Sequence, residues 1–230
     1  MDIRYSELKI YKYDIKLIPR GFVSIIPVRE YNTCMSVVIF LCRNGKLEVT
    51  ADRYAYDQVQ RELVPYEKLF NLQNKYVIGF ASESMAENTL EHFRLMCEPI
   101  ARDNDNITEF VEVLKTQVFN KDEKYFRRPD EILIGGFDSV PRIFKLIRKD
   151  EYRSVSIHDH AFIGWVDGLE ELYQTIKDSS VDIAENLLQN KCNLRPDLIK
   201  GIPKRYVIDD SGVQEITLHK KLTPVNQTID

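Results

Sequence analysis

A hydroxyl, a carboxylate and an ammonium group stand at even steps of 16 residues along the chain, as Ser36, Asp52 and Lys68. These three types can work together. A serine hydroxyl is a weak nucleophile until a base takes its proton, and a nearby lysine ammonium stabilises the alkoxide-like charge that follows. A carboxylate holds such a lysine in place through a charge-assisted hydrogen bond. The plainer reading makes Ser36 an ordinary strand residue and Asp52 and Lys68 an ion pair tying one hairpin to the next.

Other candidate chemistry is thinner. His158-Asp159-His160 would put two imidazoles on one side of a strand with no third ligand nearby in sequence, which reads as an exposed strand end and not as a metal site. Gly135-Gly136 has no helix pattern behind it and implies no phosphate loop. Asn226-Gln227-Thr228 fits a glycosylation acceptor, but without a secretion signal it reads as tail. Cys34, Cys42, Cys97 and Cys192 are scattered, with no CxxC pair for zinc or redox chemistry, and are expected to be reduced and mostly packed. No metal and no cofactor is expected.

The bulk properties narrow the field further. With 230 residues and 43% apolar content the chain can bury a sizeable core. A net charge of −4 with both signs interspersed offers no basic stripe for nucleic acid or an anionic membrane surface. The longest wholly apolar run, residues 37–42, is far below the roughly 18 residues of a spanning helix. The first residues lack the uncharged centre of a signal peptide, so the reading is a cytoplasmic protein with no membrane and no nucleic-acid partner.

The elements that must position Ser36, Asp52 and Lys68 follow from pattern. Alternation over residues 11–17 and 22–28, with a turn at Pro19-Arg20-Gly21, predicts an N-terminal hairpin. Residues 35–52 predict two antiparallel strands about the Asn44-Gly45 turn, and 68–72 with 75–81 a second hairpin about Gln73-Asn74. Helices are predicted from a cap at Ser82 or Ser84 to a stop at Pro99, and over 107–119, with Phe110, Val111, Leu114, Val118 and Phe119 inward. After a charged stretch at 120–130 come strand-like runs at 131–138, 142–149 and 152–159. Helices over 168–177 and 181–189 follow, then strands at 205–210 and 213–219 about the Asp210-Ser211-Gly212 turn. This order predicts an α+β fold with two stacked antiparallel sheets and a helix pair outside each, a four-layer αββα sandwich. A plain α+β domain is the alternative. The organisation expected is an N-terminal extension over 1–34, a main domain over 35–220 and a flexible tail over 221–230.

Several of these segments, taken in order, resemble the proteasome β-subunit family, including its bacterial HslV-type peptidases. VVIFLCRNGKLEVTADRYA resembles the family's first hairpin, and EKLFNLQNKYVIGFASESMAENTLEHF the lysine-bearing strand, the Gly-Phe-Ala strand and the first long helix. EILIGGFDSVPRIFKLIRKDEY resembles its central hairpin. The resemblance implies the N-terminal nucleophile (Ntn) hydrolase fold, with Ser36 as nucleophile, Lys68 as electrostatic partner, Asp52 as its orienter and Asp197 in a second catalytic loop.

The chain departs from the family where the chemistry is made. Family members free the nucleophile's own α-amine to act as base, whereas 35 residues precede Ser36 here. Met35 stands where a glycine would permit self-cleavage, Trp165 stands in the Gly-Ser-Gly element, and Lys200 replaces the serine of the second loop. Two functions are therefore expected from different classes. One is a non-proteolytic structural or binding subunit of a homo-oligomeric assembly, with an ATPase or another protein as a possible partner. The other is a self-processing peptidase or amidohydrolase that releases Ser36, or Cys34, as its nucleophile.

Overall fold

A computed structural model describes residues 13–18, 22–27, 30–32, 36–57, 61–82, 85–86, 89–119 and 129–224. The described residues begin with the expected hairpin of β1 (Tyr13–Ile18) and β2 (Phe22–Pro27), followed by a three-residue strand, β3 (Glu30–Asn32). β4 (Val37–Arg43) and β5 (Lys46–Ala51) turn at Asn44 and Gly45, whose φ values of 51° and 72° are the paired positive angles of a type I′ turn. β6 (Tyr54–Asp57) and β7 (Glu62–Pro65) form a short pair, and β8 (Leu69–Leu72) and β9 (Tyr76–Ala81) form the second hairpin.

β10 (Met85–Ala86) leads to α1 (Thr89–Asp103) and α2 (Ile107–Leu114), the latter continued by a π-helical turn over Lys115–Phe119. Then come β11 (Glu131–Asp138), β12 (Val140–Ile147), β13 (Val155–Ile157) and β14 (His160–Gly164). α3 (Leu169–Ile176), α4 (Ile183–Leu194), β15 (Lys204–Asp209) and β16 (Gly212–Ile216) complete the order.

The fold is α+β, and every strand pair described is antiparallel. One five-stranded sheet, sheet I, has the order β14-β4-β5-β15-β16, and another, sheet II, the order β13-β12-β11-β9-β8. A smaller four-stranded sheet runs β10-β3-β6-β7.

Burial divides into three clusters. One draws on both five-stranded sheets, with Val38, Phe40, Leu47 and Val49 from sheet I and Leu69, Val77, Leu133 and Ile143 from sheet II. A second joins Ile78, Phe80, Ile132 and Ile134 of sheet II to Phe93, Cys97, Phe110 and Leu114 of α1 and α2. The third joins Val37, Ile39 and Leu41 of sheet I to Leu169, Tyr173, Leu187 and Leu188 of α3 and α4. Alternate residues of one strand thus serve different clusters, as the period of two in a strand requires.

Some expectations are corrected. Met85 and Ala86 are a strand paired with β3, not the first turn of the helix, because a backbone partner distant in sequence claims them. Pro99 does not stop α1; Phe93, Cys97 and Ala101 are fully buried on both sides of it, and that packing carries the helix through the lost hydrogen bond. Asp159 lies in a bend and His160 opens β14, so the histidines do not share a strand. The His160 ring is held between Asp159 and Glu170 at 2.9 and 2.8 Å and lies 4.0 Å from the Tyr173 ring. Leu222 is buried and bridges Gly201. The Pro19-Arg20-Gly21 turn, the stretch 120–128 and the acceptor at Asn226 lie outside the described residues. Among the described residues no helix is long and apolar enough to cross a membrane.

Candidate active site

The Asn44-Gly45 turn fixes the register of the first hairpin, with Arg43 opposite Lys46 and Val38 opposite Ala51. One step further, Asp52 falls opposite Val37, and its N–H donates to the Val37 carbonyl at 3.4 Å. Its side chain then reaches back, and Oδ1 accepts the Val37 N–H at 2.9 Å. Ser36 and Asp52 are neighbours because the turn lies midway between them.

Lys68 arrives from the other sheet. It precedes β8 and sits opposite Phe80, whose N–H donates to the Lys68 carbonyl at 3.3 Å. Its ammonium donates to Asp52 Oδ2 and to the main-chain carbonyl of Tyr54. Asp52 Oδ2 also accepts the Tyr54 N–H at 3.3 Å. The Ser36 hydroxyl points at the same Tyr54 carbonyl, at the long limit of 3.5 Å. The structure therefore brings Ser36, Asp52 and Lys68 together around the main chain of Tyr54, and all three are buried.

The electrostatics of this junction are those of a site shielded from bulk solvent. The Lys68 and Asp52 side chains are both wholly shielded from solvent. Burial pushes the Lys68 amine below its ordinary value, against the Asp52 carboxylate that pulls it up. Asp52 is held by two backbone N–H groups and the ammonium, so it orients Lys68 and also pins the starts of β4 and β6. Among the described residues no titratable side chain is hydrogen-bonded to the Ser36 hydroxyl.

The Gly164-Trp165-Val166 segment does lie beside Ser36. Gly164 pairs with Val37, and the Trp165 N–H donates to the Ser36 carbonyl at 2.8 Å. The indole turns away into the cluster of α3 and α4, where the buried Lys191 ammonium sits 4.0 Å above its ring. Glu131 supports this segment by accepting the Gly164 N–H at 3.0 Å.

Asp197 is placed differently. Its carboxylate is 60% exposed and paired with Arg195 at 2.9 and 2.7 Å, and that guanidinium holds it below the usual carboxylate range. No described hydrogen bond or ion pair joins it to Ser36, Asp52 or Lys68. The rest of its loop does reach the site: the Lys200 ammonium lies 5.3 Å over the Tyr54 ring, and Gly201 (φ +86°) leaves room for that ring where a Cβ would approach to 2.5 Å.

Sequence reasoning missed the two groups at the centre, the Tyr54 carbonyl and the Val37 N–H, because main-chain groups carry no side-chain signature. Among the described residues no cluster of three or more His, Cys, Asp and Glu could hold a metal ion. The chain matches no protein-family model and no curated protein.

Proposed function

We propose that this chain is a proteasome-like protein of the four-layer αββα Ntn-hydrolase type in which the Ser36–Asp52–Lys68 constellation is kept as a buried junction and does not cut peptides. In this reading it serves in the cytoplasm as a structural or binding subunit of a homo-oligomeric assembly, with an ATPase or another protein as a further partner. The layer order is supported by the three burial clusters, one between the sheets and one on the outer face of each. Asp52 and Lys68 hold each other and main-chain groups of Val37 and Tyr54, as an active and an inactive site would both require, so the observation that carries the loss of proteolysis is at Ser36. Ser36, in mid-chain, has a carbonyl acceptor where catalysis needs a base.

A second reading is favoured by one feature. The Ser36 hydroxyl and the Lys68 ammonium share the Tyr54 carbonyl. A cut between Met35 and Ser36 would add a free α-amine to a hydroxyl already beside a lysine of lowered pKa.

Intact mass spectrometry of the purified chain separates the two. A full-length mass, with no covalent adduct after incubation with an electrophilic proteasome inhibitor, is expected. Loss of residues 1–35 that is abolished in Ser36→Ala would replace the structural reading by the peptidase one. Light scattering tests the assembly: a strict monomer at high concentration would remove that part of the proposal.

A further inference from the structure

The smaller sheet has an unusual membership. Its order, β10-β3-β6-β7, places β3 as an inner strand between two strands that lie after Ser36 in sequence, although β3 comes from the segment before it. Tyr31 pairs with Asp57 on one side and with Met85 on the other, while Asn32 pairs with Tyr56 and Ala86 with Glu30. Only three residues separate the end of β3 from Ser36. On its inner side, β6 opens at Tyr54, the residue whose carbonyl receives both the Lys68 ammonium and the Ser36 hydroxyl.

The seat is shallow. β3 is held by two residue pairs on each side, whereas β4 and β5 share six and β11 and β12 share eight. A ladder that short opens at low free-energy cost compared with the core. When an inner strand leaves, both neighbours lose their partners on that side.

We infer that β3 is an internal strap: Glu30–Asn32 fill a strand position beside Tyr56 and Asp57 of β6, two residues along the strand from Tyr54 of the Ser36–Asp52–Lys68 junction, and their release exposes the β6 and β10 backbones without unfolding the two large sheets. The strap is a property of the pairing and holds whichever reading of Ser36 is correct, because it requires no chemistry at that residue. For a non-cutting protein it is a closed contact that a binding event would open. For a peptidase it would be an autoinhibitory one.

Hydrogen–deuterium exchange on the full-length chain tests the inference in two ways. In the unaltered protein, amides of residues 30–32 should exchange at least about tenfold faster than those of β4 and β5, by local opening. Equal protection would make β3 part of the global core and overturn the strap. In Tyr31→Pro, which removes an N–H from an inner strand and cannot be accommodated there, the amides of residues 56–57 and 85–86 that face β3 should lose protection by at least about tenfold while β4, β9 and β11 keep theirs. Unchanged protection at both 56 and 57 in that variant would refute the inference, as would loss of protection throughout the chain, which would make β3 integral to folding.

Discussion

Lys68 and Asp52 pair in a place shielded from bulk solvent, and that arrangement is costly unless both are present. Lys68→Met leaves the Asp52 carboxylate buried with two backbone N–H donors and no counter-charge, and should cost about 3–5 kcal/mol in urea unfolding. Asp52→Asn combined with Lys68→Met removes both charges, and the double variant should be more stable than the sum of the single effects by about 1–3 kcal/mol. Strict additivity would mean that the two side chains do not meet. The encounter of Ser36 with Asp52 was legible in the sequence, because Asn44-Gly45 announces a turn midway between them. The arrival of Lys68 was visible only as a spacing, since it depends on how two sheets lie against each other. Asp197 shows the limit of spacing: its loop reaches Tyr54 through Lys200 and Gly201, while a neighbouring arginine takes its own carboxylate.

At the scale of elements, turn chemistry and alternation located both central hairpins, and amphipathic periodicity located the helices. What escaped were pieces too short to show a period, such as the four-residue β6 and β7 and the two-residue β10, whose pairing is with distant backbone. Asp182 shows how one residue joins elements that local patterns treat separately. It caps α4 by accepting the Glu185 N–H at 2.9 Å, and it grips Arg205 of β15 at 2.5 and 2.8 Å. Burial alone would raise its pKa, but the Arg205 guanidinium and the Glu185 N–H outweigh it and hold the carboxyl below its ordinary value. Asp182→Ala should therefore destabilise the protein by about 1–2 kcal/mol at neutral pH, as loss of a helix cap does. A depressed folded pKa gives stability that is complete above the unfolded pKa and disappears as pH falls through the folded one. The gap between wild type and variant should hold down to about pH 4 and close below it. Urea titrations at a series of pH values would contradict this if the gap widened on acidification.

For the whole molecule, the stacking of the sheets is recorded in two adjacent glycines. A Cβ on Gly135 would come within 2.4 Å of Leu47 and 2.8 Å of Phe40, both on sheet I, whereas a Cβ on Gly136 would meet Tyr76 at 2.7 Å and Ile107 of α2 at 2.9 Å. Consecutive positions of β11 thus face residues of sheet I and of α2 in turn, a demand that the pair's own neighbourhood in the sequence does not announce. A close approach between layers has no signature in a linear pattern, because the residues that demand it belong to another strand far away in the chain. The stacking makes a specific energetic demand. Gly135→Ala inserts a methyl group into space that Leu47 Cδ2 and Phe40 occupy, and should cost about 1–3 kcal/mol through overpacking. Leu47→Val alone removes a methylene from a fully buried position and should cost about 1 kcal/mol. Combined, the second substitution vacates what the first one fills, so the double variant should be more stable than the sum of the two losses, by a coupling of about 0.5–2 kcal/mol in chemical denaturation. Residues 47 and 135 lie on different sheets and share no ladder, so compensation between them can arise only if those sheets are face to face at this point. Additive losses would place them apart and undo the stacking on which the junction of Ser36, Asp52 and Lys68 depends.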